Sequence, residues 1–155
     1  MIRSGVAEAR VFQSWLDYQE ALKRAIQPLS PNQLQHRPFP GRRTAGEIAE
    51  HIVFGRALHT SRALEGHADA EALRPLIDWE KPADPARSAS EIVEALDLSW
   101  GVIERFVMRG ASMNEVDARY EAAAQVIWGL LDHDLPHAGQ LSMVLRAAGL
   151  RGVEI

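Results

Sequence analysis

Three histidines lie on the faces of predicted helices that are expected to point toward the core. His133 and His137 are four residues apart in LLDHDLPHAGQLSMVLRAAG, residues 130–149. An α-helix advances about 100° per residue, so both rings lie on nearly the same face. His51 shares a face with Ile48 in an earlier predicted helix. An unpaired buried polar group costs about 1–3 kcal/mol, and one divalent metal ion would satisfy all three imidazoles. The spacing therefore predicts a metal site at His51, His133 and His137.

Three protein nitrogens leave coordination positions open for water or substrate, which is typical of catalytic metal sites. Asp134 and Gln140 are candidates to orient the ligand rings of His133 and His137. Asp134 is rotated by about 100° from His133, so a solvent-facing position is its alternative. Ordinary core histidines, each hydrogen-bonded to its neighbours, are the alternative to the metal site as a whole.

The segment HDLPH differs from the HExxH motif of zinc proteases. Asp134 stands where that motif has its glutamate base, and its side chain is shorter. Only AGQLSMVLRAAGLRGVEI follows His137, so no later histidine completes such a site. The protease interpretation is therefore rejected.

Two glycines and a proline accompany the inward histidines. Gly55 lies one turn after His51, and Gly129 lies one turn before His133. Glycine costs about 1 kcal/mol relative to alanine inside a helix, so both positions predict that space is needed there. Pro136 provides no amide hydrogen and predicts a kink just before the second ligand of its pair.

The other three histidines are weaker candidates. His36 lies in a proline-flanked connection and His67 follows a helix-ending glycine, so both are expected to be exposed. His59 is two turns past His51 but rotated by about 80°. It could line the cleft, although a surface position is favoured.

Four long helices are predicted to carry these residues, at about 6–25, 44–64, 88–110 and 121–148. TAGE at Thr44 and SASE at Ser88 are capping boxes, and LSPNQL predicts a short helical turn. Gly66, Gly110 and Gly149 are expected to end the second, third and fourth helices. Residues 67–87 contain three prolines and are predicted to form a long loop, whereas 111–120 form a connector. The fold class is therefore all-α, a four-helix bundle with long connections.

Composition limits the classes of function. The 155 residues suit a single domain over 1–155, and 46% hydrophobic residues suffice for a core. The net charge of −4 argues against nucleic-acid binding, and the absence of cysteine excludes thiolate ligands and a cysteine nucleophile. No signal peptide or membrane-spanning segment is recognised, so a cytoplasmic protein is expected. A small-molecule substrate is expected because the predicted metal site leaves coordination positions open.

The sequence resembles the DinB-like (DNA-damage-inducible) superfamily of four-helix metalloproteins. The resemblance is carried by RTAGEIAEHIVFGRALH and by LLDHDLPHAGQLSMVLRAAG, particularly the paired histidines followed by GQ and LRAAG. It implies a site of three histidines, carried over to His51, His133 and His137, holding zinc or nickel. It also implies homodimers, although every apolar stripe in the sequence is already assigned to the core.

The same resemblance implies chemistry with a low-molecular-weight thiol such as mycothiol, bacillithiol or glutathione. Relatives include thiol-dependent S-transferases and a mycothiol-dependent maleylpyruvate isomerase. The expected function is therefore a metal-dependent thiol S-transferase or isomerase. Two alternatives stay open: a metal-dependent hydrolase using bound hydroxide, and a non-enzymatic metal-binding stress-response protein.

Overall fold

In the computed structural model, all the regular secondary structure of the described residues is helical. The structure describes residues 4–64, 68–111 and 118–154, with side chains described in 13–64, 68–106 and 128–154. Within those ranges no strand occurs. The α-helices are α1 (Ser4–Ile26), α2 (Pro31–Gln35), α3 (Ala45–Ala63), α4 (Ala68–Ile77), α5 (Ala89–Ala111) and α6 (Ala118–Ala147), and a 3₁₀ turn spans Asp78–Glu80. The predicted all-α bundle is confirmed, with α1, α3, α5 and α6 as its four long helices.

Helix starts follow the capping chemistry that the sequence predicts. Thr44 accepts a hydrogen bond from the amide of Glu47 at 3.2 Å, and the Glu47 carboxylate accepts from the Thr44 amide at 2.6 Å. Ser88 and Glu91 make the same reciprocal pair at 3.3 and 2.7 Å. Because these bonds occupy amides that lack helical partners, they fix where α3 and α5 begin.

Gly149 ends α6 as predicted. Its φ is +74°, in the left-handed region where a side chain is disfavoured. The Leu150 amide donates to the Leu145 carbonyl at 2.9 Å, and the Gly149 amide donates to the Arg146 carbonyl at 3.0 Å. This pair of bonds is a Schellman motif, which satisfies the last carbonyls of the helix.

Helix α3 occupies the centre of the bundle. It packs most extensively against α6 and also contacts α4 and α5, while α1 packs on α5. Trp15 of α1 meets Trp100 of α5 edge to face, with ring centroids 5.2 Å apart. The fully buried side chains include Leu22, Ile26, Ile52, Leu96, Ile103, Leu141 and Leu145. The two helices that carry the predicted ligands are therefore neighbours in the core.

The predicted loop over 67–87 is wrong over residues 68–80, whereas residues 81–87 are non-helical as predicted and residue 67 lies outside the described residues. Ala68–Ile77 is α4, and Asp78–Glu80 adds the 3₁₀ turn. Leu73 and Leu76 bury their side chains, each contributing about 1.5–3 kcal/mol, which offsets the cost of Pro75. Pro75 lies in the last turn of α4, where it removes only the helical hydrogen bond to the backbone carbonyl of Glu71, an exposed residue.

Other boundaries shift by a few residues. Gly110 lies inside α5, which ends at Ala111, and α6 begins at Ala118 rather than Glu121. The predicted stop at Gly66 and positions 112–117 of the connector lie outside the described residues. None of the described helices has the length and apolar character needed to cross a membrane.

Candidate metal centre

The structure brings the three predicted ligands into one cluster. His51 comes from α3, and His133 and His137 come from successive turns of α6. Each ring offers one nitrogen, and these three nitrogens lie within 4.8 Å of one another. Ring centroids are 5.0 Å apart for His51 and His133, and 4.5 Å apart for His51 and His137. All three residues are half-buried, so the cluster lies at the edge of the core and is reached from solvent.

Oxygen acceptors contact the Nδ1 atoms of both α6 ligands. His133 Nδ1 is 3.2 Å from Asp134 Oδ1, and His137 Nδ1 is 3.0 Å from Gln140 Oε1. An acceptor at Nδ1 favours a proton on that nitrogen and leaves the Nε2 lone pair for a metal. Asp134 and Gln140 therefore lie where the predicted orienting groups would have to be.

Asp134 is buried, so the alternative in which it faces solvent is wrong. Its second oxygen accepts from Arg56 Nε at 2.6 Å, and both side chains are 1% exposed. Arg56 also donates from Nη1 to the Gln19 side chain. The Tyr18 hydroxyl donates to the Asp134 backbone carbonyl at 3.1 Å. A buried polar network thus extends from α1 through Arg56 to the His133 ring.

Sequence reasoning missed Arg56 altogether. The available signal was a single arginine in the stretch EIAEHIVFGRAL, five residues after His51 and among apolar residues. A charged side chain at such a position needs a buried partner of opposite charge. What the sequence does not reveal is that this partner, Asp134, lies 78 residues away and also contacts a candidate ligand.

Gly55 provides the space that His133 occupies. A Cβ built at Gly55 would overlap the His133 ring, so the ring can lie in this position only with glycine there. The space predicted from Gly55 is confirmed, but it serves the ring of the opposite helix. At Gly129 a Cβ would make ordinary contact with His59 at 3.9 Å, so the prediction of needed space there is wrong.

The remaining histidines divide between surface and cleft. His36 is exposed, as predicted, and His67 lies outside the described residues. His59 is half-buried with its ring centroid 5.7 Å from that of His133, so the favoured surface position is wrong. Burial lowers the pKa of His59, and the charges of His133 and Arg62 add to this shift. It borders the cluster without joining the three-ligand group.

The electrostatics keep two of the three candidate ligands neutral near pH 7. Burial lowers the pKa of His51 to about 4, and the charges of Arg43, His137 and His133 reinforce the shift. Burial also lowers the pKa of His137, although its hydrogen bond with Gln140 acts in the opposite direction. Neutral imidazole is the form that binds metals. The donor set is therefore compatible with a divalent ion.

A comparison with known protein families matches residues 15–141 to the DinB superfamily. The matched range covers the second half of α1, all of α3 and α5, and both clustered histidines of α6. The chain belongs to the DinB superfamily. A comparison with curated proteins and another with solved structures found no match.

Helix α6 of this DinB-superfamily protein continues through Pro136, which lies between the two α6 ligands. Proline leaves the carbonyl of Asp132 without its helical amide. Asp132 is exposed, so water can reach that carbonyl. The kink expected at Pro136 stays a prediction.

Two cavities flank the cluster in this DinB-superfamily fold. One, of about 330 Å³, is bordered by His51 together with Glu47, Glu50 and Trp79. The other, of about 700 Å³, is bordered by His137 and Gln140. Residues 41–43, which precede α3, line both. Volumes of this order suit small-molecule ligands.

Two of the three carboxylates that line the smaller cavity, Glu47 and Glu50, are paired with arginines. Arg37 contacts Glu47 at 2.8 Å, and Arg87 contacts Glu50 at 2.9 Å while lying 4.2 Å above the Trp79 ring. Burial raises the pKa of Glu50, and Arg87 partly counteracts this effect. These pairs hold the charge of both glutamates in place beside His51.

Proposed function

We propose that this chain is a metal-dependent enzyme that uses a low-molecular-weight thiol. It either transfers the thiol to a substrate, as an S-transferase, or isomerises a substrate with the help of the thiol. In this proposal His51, His133 and His137 bind zinc or nickel. Mycothiol, bacillithiol or glutathione supplies the thiol, and a small electrophile is the second substrate. The observation that carries the proposal is the convergence of three imidazole nitrogens from α3 and α6 within 4.8 Å.

The chemistry of the donor set supports the metal. Imidazole nitrogen is a common ligand for zinc and nickel, and three protein ligands leave positions open for other molecules. Gly55 lets the His133 ring lie between the helices, close to His51. When bound, the ion would supply Lewis acidity that lowers the pKa of a thiol or water beside it.

The protein's own residues have positioning roles in this proposal. Asp134 and Gln140 hold the Nδ1 protons of His133 and His137, and Arg56 holds Asp134. The chain contains no cysteine, so a reacting thiol must come from a separate molecule. Glu47 and Glu50 are each paired with an arginine. Because both carboxylates already have a cationic partner, neither is well placed to act as a base toward water.

A homodimer is also part of the proposal. Helix α6 exposes Trp128, Leu135 and Met143, which are 72%, 47% and 53% exposed. Leu135, seven residues after Trp128, lies on nearly the same face, whereas Met143, eight residues further on, is rotated by about 80° from Leu135. Exposed apolar faces of this kind commonly pack against a partner. Sedimentation equilibrium on the wild type and on Trp128→Lys tests the dimer: a monomeric wild type would contradict it.

Metal content is the first test of the proposed function. Elemental analysis of protein purified without a metal-affinity column should show near-stoichiometric zinc or nickel in the wild type. His133→Ala should lose the metal, whereas His36→Ala, which changes an exposed histidine outside the cluster, should retain it. Equal metal contents in the two variants would contradict the ligand assignment.

Turnover is the second test. Metal-loaded protein should consume a small electrophile only when a low-molecular-weight thiol is present, and His133→Ala should be inactive. Ester hydrolysis without any thiol would assign bound hydroxide as the nucleophile and replace the transferase with a hydrolase. Stoichiometric metal without turnover of any thiol or ester would favour a non-enzymatic metal-binding protein.

A further inference from the structure

The larger cavity beside His137 has an apolar wall. Its lining side chains from the connection before α3, from α3 and from α6 are Phe39, Pro40, Ile48, Met143 and Val144. His137 and Gln140 form its border with the histidine cluster. A ligand in this cavity therefore meets hydrocarbon on one side and the candidate metal centre on the other.

The charge on the cavity lining is entirely positive. Arg42 and Arg43 are the charged residues among those that line it, and no carboxylate accompanies them in the described part of the chain. Neither guanidinium forms an ion pair with any described residue. Arg42 and Arg43 also line the smaller cavity, where Arg37 is paired with Glu47, and the charge of Arg43 helps to lower the pKa of Glu47.

Arg43 lies beside the histidine cluster. It lines the smaller cavity together with His51 and the larger cavity together with His137. The carboxylate that contacts His133, Asp134, is already paired with Arg56. On the side of the larger cavity, a divalent ion would add to the charge of Arg42 and Arg43, and an anionic ligand would balance it.

We infer that the larger cavity binds an organic anion with an apolar body, in which the anionic group pairs with Arg42 and Arg43. The apolar body lies against Phe39, Ile48 and Val144, and the rest of the molecule faces His137. Arginine suits this role because its planar donors match a carboxylate. The inference deepens the proposed function by naming the class of the electrophilic substrate, and its use in catalysis rests on that function.

Binding of a matched ligand pair tests the inference. The carboxylate 4-phenylbutyrate and its neutral amide, 4-phenylbutanamide, share one apolar body and differ in charge. NMR titration of the metal-free full chain should show the carboxylate binding at least roughly fivefold more tightly, as expected for a partly exposed ion pair. Arg42→Gln/Arg43→Gln should remove the preference. Arg74→Gln, which changes an exposed arginine outside the cavity lining, should keep it.

Metal-free protein separates this inference from the metal proposal. A carboxylate preference that requires added zinc would mean that the anion binds the ion, which would overturn the arginine assignment. Equal binding of acid and amide, or a preference that survives the double substitution, would also overturn it. An arginine-dependent preference in a protein that never binds metal would support the anion site while contradicting the proposed metal function.

Discussion

Asp134 connects the candidate ligand His133 to a buried arginine. One oxygen faces His133 Nδ1 at 3.2 Å and the other accepts from Arg56 at 2.6 Å. Groups that orient a metal-binding imidazole commonly affect metal affinity by about 10–100-fold. The carboxylate therefore has a role in this arrangement that an amide of the same size cannot fully replace.

We predict that Asp134→Asn lowers zinc affinity by about 10–100-fold, because the amide accepts more weakly from His133 Nδ1. Isothermal titration of folded, metal-free protein measures this change. Asp132→Asn makes the same chemical change at an exposed position of α6 and should leave affinity unaltered. Equal affinities for Asp134→Asn and the wild type would show that the contact does not orient the ligand.

Gly55 provides a second prediction at the scale of single residues. Gly55→Ala places a Cβ where the His133 ring lies, so the ring must move away from the cluster. We expect weakened zinc binding and a loss of about 1–3 kcal/mol in the free energy of unfolding. Zinc titration and chemical denaturation measure these two effects.

Gly139→Ala is the matched control for Gly55→Ala. Gly139 is an exposed glycine in α6, and a Cβ there would have no neighbour within 4 Å. Alanine should raise the free energy of unfolding by up to about 1 kcal/mol, because it is the better helix former. If both substitutions stabilised the protein equally, the overlap with His133 would not be real.

At the scale of helices, sequence patterns predicted the four long helices and the short α2, but they missed α4. Capping boxes at Thr44 and Ser88 and apolar stripes of several turns are local signals, so α3 and α5 could be placed from them. Helix α4 has only ten residues with Pro75 inside. Its existence depends on packing against α3, which is a tertiary effect that local propensity does not contain.

We predict that Leu73→Ala lowers the free energy of unfolding by about 2–5 kcal/mol, because Leu73 is fully buried where α4 meets the core. Chemical denaturation measures the loss. Leu98→Ala removes the same atoms from a side chain that is 45% exposed and should cost much less. Similar losses for the two variants would contradict the packing of α4 against the core. They would favour the loop that was predicted from the prolines of this segment.

At the scale of the whole molecule, the candidate centre is made by bringing α3 and α6 together. The sequence predicted three inward histidines from helical period alone, because an i, i+4 pair and a third apolar-face position are local features. How the helices pack determines which rings meet. It also determines that Gly55 of α3 accommodates the ring of His133 from α6. A bound ion would therefore connect two helices that are far apart in the chain.

This connection predicts that zinc stabilises the whole fold. A ligand that binds only the folded state adds about 2.7 kcal/mol to the free energy of unfolding at a concentration 100 times its Kd. Thermal unfolding of the metal-free wild type should therefore shift upward with added zinc, and the shift should grow with zinc concentration. His133→Ala should show little shift, whereas His36→Ala should behave as the wild type. After His133→Ala only His51 and His137 of the three-ligand group remain. A zinc response that survives this substitution would therefore mean that the ion binds elsewhere.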